Sequence, residues 1–164
     1  MALPKLIIFD LDYTLWPVWV DTHVSPPFEQ RSDGKVYDSY GSQMKYYPEV
    51  PSILEDLEAQ GIDMGVASRT EEPRGANQLL QCFGWEKYFK YKEIYPGNKK
   101  THFKRFSEAS GLPYKDMLFF DDEMRNIRDI NGIGATAFYV HGGMTHAELK
   151  AGLKQFENNQ KHRS

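Results

Sequence analysis

Residues 6–17, LIIFDLDYTLWP, run four apolar side chains directly into a carboxylate. Leu6, Ile7, Ile8 and Phe9 show no polar alternation, so they read as a strand buried on both faces, as in a parallel sheet covered by helices. Asp10 ends the run, Asp12 follows two positions later, and Thr14, Leu15, Trp16 and Pro17 complete the stretch. Acids this close repel and raise each other's pKa. A fold that keeps both must offset that cost.

Working outward, apolar runs recur at residues 62–67, 88–94, 117–120 and 135–140, separated by helix-patterned segments at 51–59, 75–83, 100–110, 123–131 and 145–157. The segment 51–59 places apolar residues at 53, 54 and 57 and meets Gly61 as its stop signal. Strands alternating with helices predict an α/β fold, a Rossmann-like three-layer sandwich around a central parallel sheet. Right-handed crossovers bring the carboxyl ends of such strands to one edge, where ligands bind. Asp10, Ser68 and the pair Asp121-Asp122 each follow a predicted strand and should therefore meet there, although they are far apart along the chain.

Residues 16–48 break the alternation with Pro17, Pro26, Pro27, Asp33-Gly34 and Gly41. An Asp-Gly pair between strand-like residues predicts a hairpin, so the segment reads as a short β-hairpin flap inserted after the first strand, too small to be a second domain. The whole of 1–164 reads as a single domain, with Asn158–Ser164 frayed.

Bulk properties exclude several classes. The chain has 164 residues, 40% hydrophobic and 26% charged, with 20 basic residues against 23 acidic ones and a net charge of −3. No overall basic field recruits nucleic acid; the lysines at 87–92 and 99–100 either bind anions locally or face solvent. With Cys82 as the one cysteine, an internal disulfide and a cysteine metal cluster are both excluded. The apolar run before the first acid is too short for a signal peptide, and nothing approaches the roughly 20 apolar residues of a membrane span. A cytoplasmic monomer that touches neither membrane nor nucleic acid is expected.

Two acidic clusters, each ending an apolar strand, suit a divalent cation, and hard carboxylate oxygens suit Mg²⁺. Either cluster alone could equally cap a helix or form an Asx turn. A metal-bound acidic site beside a cation fits phosphoryl transfer, in which one carboxylate attacks phosphorus and a second serves as acid and then base. Ala67-Ser68-Arg69-Thr70 offers a hydroxyl and backbone N–H groups to a phosphate. Lys99 can set an ammonium among the acids. Taken singly, Ser68 also reads as a turn serine and Lys99 as a surface lysine.

The ordered set LIIFDLDYTL, VASRT, a lysine and LFFDDE, spanning residues 6–123, resembles the haloacid dehalogenase-like (HAD) phosphohydrolases. The resemblance implies a HAD-like fold and an Mg²⁺-dependent phosphomonoester hydrolase. It gives Asp10 the role of nucleophile and metal ligand. It makes Asp12 the general acid/base, its backbone carbonyl facing the metal. Leu11, Ser68, Arg69 and Lys99 would hold the phosphate, and Asp122 would complete the metal site, with Asp121 behind it and Thr14 bracing the loop. The order of Asp121 and Asp122 stays open, and Lys100 rivals Lys99.

Many relatives insert a cap domain. Here the stretch from Ser68 to Lys99 is already filled by a helix and a strand, so no cap domain is expected and the site should be open to a phosphorylated protein or a small phosphomonoester. The family resemblance includes activity toward phosphotyrosine and sugar phosphates. Trp16, Trp19, Tyr46 and Tyr47 could stack on a substrate ring or simply pack the flap.

Other motifs fail. A cysteine phosphatase needs Arg six positions after its nucleophile, where Cys82 is followed by Tyr88. GIGATA at 132–137 precedes a predicted strand, whereas a dinucleotide fingerprint follows one, and GNKKT lacks the glycine spacing of a P-loop. His141 and His146 have no matching acid nearby and read as surface residues. A receiver domain carries its phosphorylated Asp on a middle strand, not the first. Two alternatives remain: a non-catalytic phosphoprotein-binding module, which would not need an acid at position 12, and a phosphotransferase between metabolites.

Overall fold

Leu6–Phe9 form strand β1, with all four side chains fully buried. In this computed structural model, which describes residues 2–163, Ile7 and Phe9 face one side of the sheet and Leu6 and Ile8 the other. The remaining strands of the sheet are β5 (Asp63–Ser68), β6 (Phe89–Ile94), β7 (Met117–Asp121) and β8 (Thr136–Tyr139). They pair in parallel in the order β6-β5-β1-β7-β8. β1 is therefore central, with Phe9 opposite Val66 on one side and Phe120 on the other.

Both faces are covered, which is why β1 and β7 carry no polar alternation. On one face lie α1 (Val50–Ala59), α2 (Pro73–Cys82) and α5 (His146–Arg163), through Ile53, Leu57, Leu79, Leu80, Leu149 and Phe156. On the other, α3 (Lys99–Ser110) and α4 (Met124–Gly132) bury Phe103, Phe106, Ile127 and Ile130. The three-layer sandwich expected from the alternation is the one observed.

Helix ends follow local chemistry. At the end of α1, Gly61 adopts φ +73° and donates to the Glu58 carbonyl, while Ile62 N–H donates to Leu57, the paired bonds of a Schellman stop. α5 approaches β7 so closely that a Cβ at Gly152 would strike the Phe120 ring. The expectation of a frayed tail does not hold for Asn158–Arg163, which continue α5; Ser164 lies outside the described residues. Asn159 donates to Thr136 Oγ1 (2.8 Å), Gln160 to the Lys115 carbonyl (2.7 Å) and Arg163 to the Gly134 carbonyl (2.6 Å), tethers that helix periodicity does not reveal.

The segment after β1 contains a hairpin at Asp33-Gly34, and the structure adds a third strand. β2 (Glu29–Gln30), β3 (Val36–Tyr37) and β4 (Gln43–Met44) form a small antiparallel sheet. Buried Asp38 holds its turns together by accepting N–H groups of Ser25, Tyr40 and Ser42 (2.8–3.1 Å). Phe28, Val36 and Met44 anchor this sheet in the same core as Phe9. Between β5 and α3 the chain holds only α2, one 3₁₀ turn and β6. Among the described residues, no helix is long and apolar enough to cross a membrane.

Candidate active site

The carboxyl ends of β1, β5 and β7 open on one cleft of about 230 Å³, lined in part by Asp10, Asp12, Ser68, Arg69 and Lys99. Neighbouring strands in a parallel sheet end together, so residues 10, 68 and 121 become spatial neighbours. Asp10 extends the β1–β7 pairing by one bond, its N–H donating to the Phe120 carbonyl (2.9 Å).

Lys99 organises the floor. It is the first residue of α3 and 1% exposed, and its Nζ donates to Asp10 Oδ1 (3.0 Å), Asp121 Oδ2 (3.1 Å) and the Ala67 carbonyl (2.7 Å). Those three acceptors lie at or just past the ends of β1, β7 and β5, so a single ammonium ties the three strand ends together. Lys100, its rival in the sequence, is exposed on the next helical position. Asp10 Oδ2 accepts the Thr14 hydroxyl (3.1 Å), which fixes the carboxylate from the opposite side.

Asp121 is fully buried with both oxygens engaged. Oδ1 accepts Glu123 N–H (2.9 Å), and Oδ2 accepts Asn126 Nδ2 (2.9 Å) in addition to Lys99. Asp122 is half-buried. Asp10, Asp121 and Asp122 each offer an oxygen within 4.8 Å of the other two. A donor set made only of carboxylate oxygens fits a hard divalent cation, and here it outnumbers the one buried ammonium beside it. The protonation pattern agrees: burial, then the Asp121 charge, pushes Asp10 well above the usual carboxylate range despite Lys99. Burial likewise pushes Asp122 up to about 6. Burial disfavours the charge on Lys99, but Asp10 and Asp121 outweigh it and hold the ammonium charged.

Asp12 does not join that group. Its Oδ1 accepts Trp16 Nε1–H (2.8 Å) and Val20 N–H (3.3 Å). Burial pushes it up to about 6, while those two donors pull the other way. The backbone turns sharply just after Asp12: Tyr13 sits at φ +59°, a conformation that bulky residues rarely adopt. Ser68 is buried at the end of β5, where its hydroxyl accepts Thr70 N–H (3.2 Å).

Of the aromatic residues that the sequence offers to a substrate, three lie outside the cleft lining, although Tyr46 stays 40% exposed. Trp16 is fully buried against Trp85, Tyr46 meets Phe83 and Trp85 edge-on, and the Tyr47 ring lies against Gly143. Trp19 is different: it is 47% exposed, lines the cleft and stacks on His23 at 4.9 Å. His146 bonds Ser52 Oγ (2.7 Å) and, against the expectation of no acid nearby, lies 4.0 Å from Asp56 Oδ2, outside the cleft lining.

The cleft also contains residues that sequence reasoning passed over. Asp21, from the flap, accepts Thr70 Oγ1 (3.3 Å) and Glu71 N–H (3.1 Å), latching the flap to the loop after β5. Glu123, Arg125 and Asn126 come from the start of α4. Asn126 could have been suspected from its place one helical turn beyond the acidic pair; Asp21 carries no such signal.

Three comparisons relate the chain to known proteins. A family model described as Acid Phosphatase matches residues 2–159. Human magnesium-dependent phosphatase 1 is 52% identical over 154 residues, covering 94% of this chain and 88% of that protein. A HAD-like hydrolase superfamily protein of Schizosaccharomyces pombe is 40% identical over 147 residues, covering 83% and 85%. Among solved structures, a HAD-superfamily hydrolase from Ehrlichia chaffeensis superposes with a TM-score of 0.70 at 12% identity, over 96% of this chain and all of that one (100%). CbbY from Rhodobacter sphaeroides, in complex with phosphate, gives 0.66 at 13% identity, over 93% of this chain and 100% of that one. With the fold, the strand-end acids and these relatives in agreement, the chain belongs to the acid phosphatase family of the HAD-like hydrolases.

Proposed function

We propose that this protein is a magnesium-dependent phosphatase that hydrolyses phosphomonoesters through an aspartyl-phosphate intermediate, an acyl phosphate formed on Asp10. The observation that carries the reading is the Asp10 carboxylate, held between the Lys99 ammonium and the Thr14 hydroxyl in the same cleft as Asp12. In the first step an Asp10 oxygen forms a bond to phosphorus, the ester P–O bond breaks, and Asp12 gives its proton to the departing oxygen. In the second, Asp12 takes a proton from water, whose oxygen bonds phosphorus and displaces the Asp10 carboxylate, releasing phosphate. Ser68, Arg69 and the backbone at Leu11 hold the phosphate oxygens, and Lys99 balances their charge.

Asp10, Asp122 and the Asp12 backbone carbonyl would hold Mg²⁺. Asp122 is preferred to Asp121 because Asp121 already has both oxygens bonded to Lys99, Asn126 and Glu123. The name of the human relative supports the choice of ion. When bound, Mg²⁺ supplies charge to offset the gathered carboxylates and phosphate oxygens.

We read the chain as one domain without a cap, so the site admits a phosphorylated protein side chain or a small phosphate ester. Trp19 at the rim favours an ester with a ring, such as a phosphotyrosyl side chain or a sugar. Colorimetric phosphate release with and without Mg²⁺ tests the reading. Asp10→Asn should cut turnover at least about 10³-fold, and a variant that retains normal turnover refutes Asp10 as nucleophile.

A further inference from the structure

Asp12 lies only two residues beyond Asp10, yet its side chain is absent from the group of three carboxylates that could share an ion. What holds it apart is Trp16. The indole Nε1–H donates to Asp12 Oδ1 at 2.8 Å, and Val20 N–H reaches the same oxygen at 3.3 Å. Both partners are donors only, so Oδ1 is fixed as an acceptor and a proton on this carboxyl must ride on Oδ2.

The indole that imposes this is itself immobilised. Trp16 is fully buried, its ring stacked on Trp85 (6.4 Å between centroids, 12° between planes) and tilted against Phe83 (6.3 Å). Those two residues lie just past the end of α2, so the hydrophobic core beneath the flap fixes the orientation of a polar bond in the cleft.

We infer that Trp16 is the positioning residue of the acid: its N–H anchors one Asp12 oxygen so that the other is presented to the leaving group, apart from the ion-binding carboxylates. This rests on the assignment of Asp12 as proton donor. Buried indoles usually find an acceptor whatever their role, so the test must separate positioning from packing.

The leaving group provides that separation. An alkoxide needs a proton as it departs, whereas p-nitrophenolate leaves with little help. In Trp16→Phe, kcat/KM should fall on the order of tenfold for an alkyl phosphate, the cost of losing one bond to a charged group, and by less than about twofold for p-nitrophenyl phosphate. Equal losses on both substrates, or no loss on either, overturn the inference. Should Trp16→Phe fail to fold, the isosteric 3-benzothienylalanine at position 16, with sulfur in place of N–H, gives the same readout. Asp12→Asn, measured in parallel, should show the steepest leaving-group dependence. If that variant is flat the acid assignment itself fails, whereas a steep Asp12→Asn with a flat Trp16→Phe removes Trp16 alone.

Discussion

The buried ammonium of Lys99 has three acceptors from three different strands, and removing it leaves two buried carboxylates facing each other. Breaking such an arrangement from one side costs about 3–5 kcal/mol. Lys99→Met should therefore lose stability of that order in urea unfolding at neutral pH with a chelator present. His102 is a second buried titratable group. Its Nε2 lies 2.8 Å from the Ser68 carbonyl and 2.9 Å from that of Tyr95, and its ring stacks on Tyr95. Burial, helped by the Lys99 charge, outweighs these carbonyls and holds it below the usual histidine range. The unfolded chain thus takes up a proton near pH 6.5 that the folded chain refuses, so stability falls as pH drops through that value. His102→Gln should flatten the slope of unfolding free energy between about pH 7 and pH 5, measured by denaturant titration. At this scale the motif acids and Lys99 were legible because each ends a strand or begins a helix. Asp21 and Thr70 were not, because their meeting depends on how the flap lies over the loop after β5.

Elements were legible where burial leaves a period. β1 and β7 read as continuous apolar runs and β5 as one interrupted by Asp63, and α1 announces its end with Gly61. The flap gave up its hairpin through Asp33-Gly34 and hid β4, since a strand as short as Gln43–Met44 has no alternation to detect. The end of α5 was hidden for another reason: its last residues are polar, and their hold on Thr136, Lys115 and Gly134 is tertiary. Gly152 marks the point where α5 presses on β7, with the Phe120 ring occupying the place of any Cβ. Gly152→Val should destabilise the protein by about 1–3 kcal/mol through overpacking, visible as a lower thermal midpoint. Phosphatase activity per folded molecule should persist, since α5 covers the sheet face and not its edge.

For the whole molecule, the site and the stability of the fold are linked. An ion bound by the folded state alone stabilises it, by about 2.7 kcal/mol at a hundred times its dissociation constant. For a domain of this size that is a rise of about 5–10 °C in thermal midpoint. Mg²⁺ should produce such a rise in scanning calorimetry, and Asp122→Asn should abolish it. The sandwich was legible from the alternation of strands and helices, because topology rules leave few ways to wind them.

β1 comes first of the five strands along the chain, yet it occupies the centre of the sheet, between β5 and β7. During synthesis it must wait for both neighbours, one partnered through Asp63 and the other through Met117. A nascent chain halted before Met117 therefore carries Leu6–Phe9 with one ladder open, a sticky edge for chaperones to shield. The ribosome emits the loop that carries Asp10 and Asp12 early, and that loop acquires its folded shape only after two-thirds of the polypeptide has emerged.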